Sequence, residues 1–150
     1  MADDPEDFML LAINAAKKAQ LLNEVPVGAI VTQENKVIGV GFNTVIKDNS
    51  VTGHAEINAI NAACKKINNY RLVNCDLYVT LEPCHMCAKV IVDARIKNVY
   101  FSAFEPKTGS IVSVDNFFDK KFLNHKVNYI SGIMRKEASE LLQDFFRQRR

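Results

Sequence analysis

The chain has 150 residues, 48% of them hydrophobic and 24% charged, with a formal net charge of +2 and four cysteines. That length can bury roughly two-thirds of the unfolded surface around one core without disulfide staples, so a single globular domain is expected. The composition excludes a membrane span, a low-complexity chain and a disulfide scaffold, and no charged-then-apolar leader follows Met1, so a cytoplasmic protein with no membrane partner is expected.

In chain order, a first amphipathic helix is expected over 4–22, where Phe8, Leu11, Ala12, Ala15, Ala16, Ala19 and Leu22 recur at helical spacing behind an acidic start with Pro5. Two apolar, β-branched runs follow, 27–32 and 36–42, and the polar Gln33-Glu34-Asn35 between them suits an antiparallel hairpin. A loop over 43–53 leads to a helix over 54–66, a turn at Asn68-Asn69-Tyr70 and a strand over 76–81. That strand delivers Pro83 to a second helix, which continues through 87–94. A strand over 99–104 and a polar loop opened by Lys107-Thr108-Gly109 come next. A short strand over 126–130 and a helix over 135–149 close the chain, the helix carrying Ala138, Leu141, Leu142, Phe145 and Phe146 on its apolar side. The alternation predicts an α/β fold in three layers, a mixed five-stranded sheet with helices on both faces.

Two motifs carry chemistry. His54-Ala55-Glu56 and, some thirty residues on, Pro83-Cys84-His85-Met86-Cys87 have the pattern of a zinc site that activates water beside a carboxylate, which points to hydrolytic deamination of a nucleobase. One imidazole and two thiolates leave the fourth tetrahedral position of zinc open, whereas a structural site fills all four. Cys84 and Cys87, three apart, fall on one face of a first helical turn. Pro83 fits a helix start, and the positive end of the helix dipole is expected to favour both thiolates. His54 and Glu56, two apart, would point about 200° away from each other in a helix body. They converge only on a site lying off a helix end, so both are placed at a helix N-terminus behind Val51-Thr52-Gly53. Taken alone, a Cys-x-x-Cys is equally a redox or structural pair, and a helix histidine is more often just hydrogen-bonded; the joint pattern selects catalytic zinc.

The remaining functional residue types have weaker signals. Cys64 and Cys75 are left over as buried small hydrophobes. Arg147, Arg149 and Arg150 follow Phe145-Phe146 at the end, where a grip on RNA phosphates and a complement to the helix dipole both fit. His125 reads as structural. His85 lies between two ligands, is turned off their face by its spacing, and is a candidate for substrate contact.

Collinear segments extend the pattern over almost the whole chain: Asn23-Glu24-Val25-Pro26-Val27-Gly28-Ala29, Gly41-Phe42-Asn43, Asn69-Tyr70-Arg71-Leu72, Leu77-Tyr78-Val79-Thr80-Leu81-Glu82-Pro83-Cys84, Lys107-Thr108-Gly109, Asn124-His125 and the terminal Phe145 to Arg150. In these the chain resembles the bacterial tRNA-specific adenosine deaminases of the cytidine deaminase-like zinc superfamily. The resemblance implies the cytidine deaminase-like fold, one Zn2+ per chain on His54, Cys84 and Cys87, and Glu56 as proton shuttle in converting the wobble adenosine of an anticodon loop to inosine. The N–H of Ala55 and the carbonyl of Glu82, adjacent to these side chains in sequence, are expected to orient the base, with Asn43 bonding the purine. Lys107, Arg147, Arg149 and Arg150 are the candidates for neutralising anticodon-stem phosphates. The resemblance also implies a homodimer, with 87–94 and Ile111-Val112 as the source of its apolar contact.

His85 departs from the more usual apolar residue between the cysteines, and Phe104-Glu105 from a segment that usually carries Asp before Lys-Thr-Gly. These departures bear on flanking-nucleotide contacts and leave the zinc chemistry untouched. A free-base or nucleoside deaminase for guanine or cytosine would share the zinc-site residues, but it needs no phosphate grip, and the basic terminus argues against it. A noncatalytic zinc-stabilised RNA-binding module would leave Glu56 without a job.

Overall fold

The structure is a computed structural model and describes residues 4–149, so Arg150 of the terminal cluster lies outside it. The first helix, α1 (Pro5–Leu21), starts where the sequence predicts. The Asp4 carboxylate accepts the Glu6 N–H at 2.9 Å, and Pro5 takes the first helical position, where a missing N–H costs nothing. Strands β1 (Gly28–Gln33) and β2 (Lys36–Phe42) form the expected antiparallel hairpin. Its turn is only two residues long, because Glu34 and Asn35 both adopt positive φ, as the tightest hairpin turns require; Gln33 belongs to the strand.

The rest follows in the predicted order: α2 (Ala55–Ile67), β3 (Cys75–Leu81), α3 (His85–Asp93), β4 (Asn98–Ala103), β5 (Asn128–Ser131) and α4 (Arg135–Arg147). A short 3-10 turn, Phe117–Asp119, interrupts the long β4–β5 connection and has no counterpart in the sequence reading. The strands lie in the order β2-β1-β3-β4-β5. β1 runs antiparallel to β2 and β3, while β4 runs parallel to β3 and β5, so the sheet is mixed as expected. α1 and α4 cover one face and α2 and α3 the other, which gives the three layers.

Strand alternation divides the core between the two faces. Ile30 and Tyr78 meet Phe8, Met9, Ala12 and Ile13 of α1. Val31, Leu77, Val79, Val99 and Phe101 meet Ala59, Ile60, Ala63, Ile91 and Val92 of α2 and α3. Close approach of α2 to β2 depends on Gly41. A Cβ there would lie 2.4 Å from the Ala55 carbonyl oxygen, so only glycine lets the first turn of α2 sit against the sheet. That contact fixes where α2 begins, and therefore where His54 and Glu56 are held.

The final helix ends at Arg147, two residues short of the expected 149, and its apolar side is narrower than expected. Its buried positions are Ala138 and Phe145, seven residues apart on one face, while Phe146, about 100° further round, is 49% exposed. Among the described residues, no helix is long and apolar enough to cross a membrane.

Candidate active site

The starts of α2 and α3 come together as the motif spacing requires. His54 is the N-cap of α2, with extended backbone, and Glu56 is the second helical residue; Cys84 caps α3 and Cys87 is its third residue. Pro83 therefore stands one position outside the helix and not in its first turn, so it shapes the approach of the chain to Cys84. N-cap positions ordinarily hold Ser, Thr, Asp or Asn, whose oxygen bonds the next N–H groups. Here neither His54 nor Cys84 makes a side-chain cap bond; both side chains turn towards a common point.

At that point His54 Nδ1 lies 3.8 Å from Cys84 Sγ and 3.4 Å from Cys87 Sγ, and the three ligand atoms all fall within 4.8 Å of one another. A tetrahedral ion bonded at about 2.0–2.3 Å to nitrogen and sulfur would have N–S edges of about 3.6 Å, so the donors fit one borderline-soft cation. His54, Glu56 and Cys84 line the adjoining cavity, of about 520 Å³, so the three-donor group adjoins space that a small molecule can enter.

The Cys87 thiol beside it holds the Cys84 thiol down to about 4, against the opposing pull of burial and with help from the His54 ring. Cys87 is pushed up by the same bond and by its burial. The two thiols thus differ in proton affinity, Cys84 held down and Cys87 pushed up. Glu56 is 4% exposed, and burial raises its carboxyl to about 7, against its own backbone N–H and the nearby His54. A carboxyl poised there both accepts and gives up protons near neutral pH.

Two further carboxylates hold the cavity walls. Glu24, 2% exposed, accepts the N–H groups of Ile46 at 3.1 Å and Lys47 at 2.8 Å, and so fixes the 43–53 loop. Glu82, also 2% exposed, accepts from the N–H groups of Glu105, Ile111, Val112 and Ser113 at 2.8–3.1 Å and from the Ser113 hydroxyl. Burial would raise its pKa, but the Ser113 hydroxyl and these N–H groups hold it below the ordinary value. A Cβ at Gly109 would lie 2.4 Å from Glu82 Oε1, so the glycine of Lys107-Thr108-Gly109 is what lets the loop close over this carboxylate. Neither role was read from the sequence, where Glu82 enters only through its carbonyl.

The other predicted residues separate. Asn43 lines the cavity, and its Oδ1 accepts the Ala55 N–H at 2.8 Å. Ala55 therefore does not present a free N–H to a base, because Asn43 makes the helix-capping bond that His54 forgoes. Glu82 lines the cavity as expected. Lys107 is exposed at the rim next to the cavity residue Thr108 and does not itself line the space. Arg147 is exposed and paired with Asp144 at 3.0 Å, away from the cavity, whereas Arg149 reaches it. His85 turns to Asp115, 3.1 Å away, and does not line the cavity. His125 Nε2 meets the Ile96 carbonyl at 2.7 Å, the structural role expected. Cys64 and Cys75 are free thiols, but only Cys75 is fully buried. Of the segments expected to supply a dimer contact, Ala88, Ile91, Val92 and Ile111 are buried in the chain's own core, and Val112 is 45% exposed.

Comparison with known proteins agrees with this geometry. The model of the MafB19-like deaminase family matches residues 3–150. The tRNA-specific adenosine deaminase of Haemophilus influenzae is 45% identical over 146 residues, covering 97% of this chain and 84% of its own. A solved structure from work on A-to-I editing by tRNA:A34 deaminases at the wobble position of transfer RNA has a TM-score of 0.88 and 41% identity, covering 90% of this chain and 98% of that one. A guanine deaminase from Nitrosomonas europaea shares the fold, with a TM-score of 0.82 at 20% identity.

Proposed function

The chain belongs to the MafB19-like deaminases and to the tRNA-specific adenosine deaminases, and from that premise we propose that it hydrolyses the wobble adenosine of a tRNA anticodon loop to inosine and ammonia. The observation that carries the reading is Glu56: a buried carboxyl raised to about 7, beside a three-donor metal group at an open cavity. Zinc on His54, Cys84 and Cys87 supplies, when bound, the Lewis acidity that brings the pKa of a water towards neutrality.

Glu56 takes a proton from the attacking water and delivers it to N1 of adenine as oxygen adds at C6. It then takes the proton of the new C6 hydroxyl and passes it to the departing amine; the C6–N bond breaks as C6=O forms, and ammonia leaves an inosine that keeps the proton on N1. One carboxylate serves both transfers because burial raises its proton affinity above that of an ordinary carboxylate. Asn43 is preset for the purine: with Oδ1 committed to Ala55, its Nδ2 is left to donate to a ring nitrogen. The carbonyl of Glu82 is held still by the anchored carboxylate of the same residue.

A stacked, paired adenine cannot enter such a cavity, so the substrate must present a splayed base, as an anticodon loop does. Arg149 at the mouth and Lys107 at the rim meet phosphates, with Arg150 extending the same basic end and Arg147 contributing less because Asp144 already pairs it. We place this activity in one zinc-dependent domain, in the cytoplasm with its tRNA, and in a homodimer. Val112 and Val114, 45% and 55% exposed, supply the apolar contact in place of α3. Ammonia release decides the substrate class. An anticodon stem-loop is expected to be deaminated far better than free adenosine, cytidine or guanine; comparable efficiency on a free base would overturn the reading.

A further inference from the structure

Asn23 follows α1 in left-handed backbone, φ 59°, a conformation that Asn tolerates better than most residues. It sits on a fixed frame. Its N–H bonds the Gln20 carbonyl at 3.0 Å, the Glu24 N–H bonds the Ala19 carbonyl at 3.0 Å, and the Glu24 carboxylate is locked to the 43–53 loop. From this frame the Asn23 side-chain oxygen accepts from Arg149 Nη2 at 3.0 Å, joining parts of the chain 126 residues apart.

Arg149 is held in two further ways. Its Nη1 donates to the Phe145 carbonyl at 3.2 Å, and its guanidinium lies 3.6 Å from the centroid of the Phe145 ring. Phe145 and Arg149 both line the cavity. A helix-end arginine whose only work is solvation or dipole balance has no need of three restraints. A guanidinium carries five N–H donors, so with two engaged it keeps three for an incoming anion. One face is covered by the ring, and those donors remain in the guanidinium plane.

We infer that Asn23 is a positioning residue: acting through Arg149, it presets the guanidinium at the cavity mouth for a phosphate of the bound RNA. The inference rests on the tRNA reading above and deepens it, because a side chain already ordered loses less freedom on binding. Glu24, next in the chain, holds one cavity wall, so this single turn after α1 sets both the wall and the arginine.

The test is a double-mutant cycle on stem-loop deamination. Asn23→Gly tolerates the left-handed backbone and removes the side chain, and with it the acceptor for Arg149. It is expected to raise KM for the stem-loop about 3- to 10-fold, the effect of one long side chain ordering only on binding, and to leave kcat unchanged. Arg149→Gln is expected to raise KM as well, and adding Asn23→Gly to it is expected to do nothing more. Equal rises from Asn23→Gly in both backgrounds, or a fall in kcat with KM unchanged, would overturn the inference, since Asn23 would then act independently of Arg149. No rise at all in an active parent would overturn it too, and would leave the tRNA reading standing. A parent inactive on the stem-loop would remove both.

Discussion

Glu56 and the two cysteines divide their work by proton affinity. Burial raises the Glu56 carboxyl to about 7, the Cys87 thiol beside it holds Cys84 down to about 4, and that same bond and burial push Cys87 up; on the proposed reading Glu56 moves protons and the cysteines bind metal. Glu56→Ala is therefore expected to retain metal and fold while losing at least about a hundredfold in kcat, measured by metal analysis beside single-turnover assays; activity within tenfold of the parent would remove the shuttle role. Cys84→Ala or Cys87→Ala should instead lower the zinc content. Chelation should expose a second contrast: at pH 6 a thiol held near 4 is almost wholly thiolate, and one raised to about 11 by burial is almost wholly protonated. Alkylation of the stripped protein at that pH, followed by peptide mapping, is expected to label Cys84 and spare Cys75. These ligands were legible in the sequence because metal chemistry admits few residue types at few spacings. The Glu82 carboxylate was not, since the donors it gathers lie 23 to 31 residues downstream, in a loop whose path no local pattern dictates.

The elements with a strong period, α1, the hairpin and α2, begin within a residue or so of where hydrophobic spacing and caps place them. The connection from β4 to β5 carries no periodic signal beyond a polar loop, because its order comes from Glu82 and Gly109. Two predictions belong to it. Gly109→Ala should destabilise the protein and loosen the 105–113 loop, since the added carbon would meet Glu82 Oε1 at 2.4 Å and the Glu105 carbonyl oxygen at 2.6 Å. Glu82→Gln should cost about 1–3 kcal/mol at neutral pH by leaving buried N–H groups without an anion. Because the folded-state pKa of Glu82 is depressed, its contribution is fully present above the ordinary carboxylate range and fades as pH falls through the folded value. Urea midpoints of parent and variant should therefore converge on acidification; a constant gap would contradict the assignment. At the end of α4, Phe145 and Phe146 read alike in sequence but point differently, and so do Arg147 and Arg149. Arg149→Gln should reduce the salt slope of RNA binding by about 0.7, with Arg147→Gln much less effective because Asp144 already occupies it.

For the molecule as a whole, alternating strand and helix signals made the three layers and the mixed sheet legible. The strand order was not, because β1 lies between β2 and β3 through pairings that no local pattern encodes. That order places the starts of α2 and α3 side by side on one face of the sheet. α4 packs with α1 on the other, and its end nevertheless reaches the same cavity through the turn at Asn23. Metal ligands, base-sized space and a basic arm thus converge from both faces of the sheet, an arrangement suited to a base presented on a polynucleotide. The most direct test is to incubate the zinc-loaded protein with unmodified tRNA and sequence the product for inosine. The account predicts inosine at the wobble adenosine, and none with Glu56→Ala. Unchanged adenosine at that position, with ammonia released instead from a free base, would contradict it.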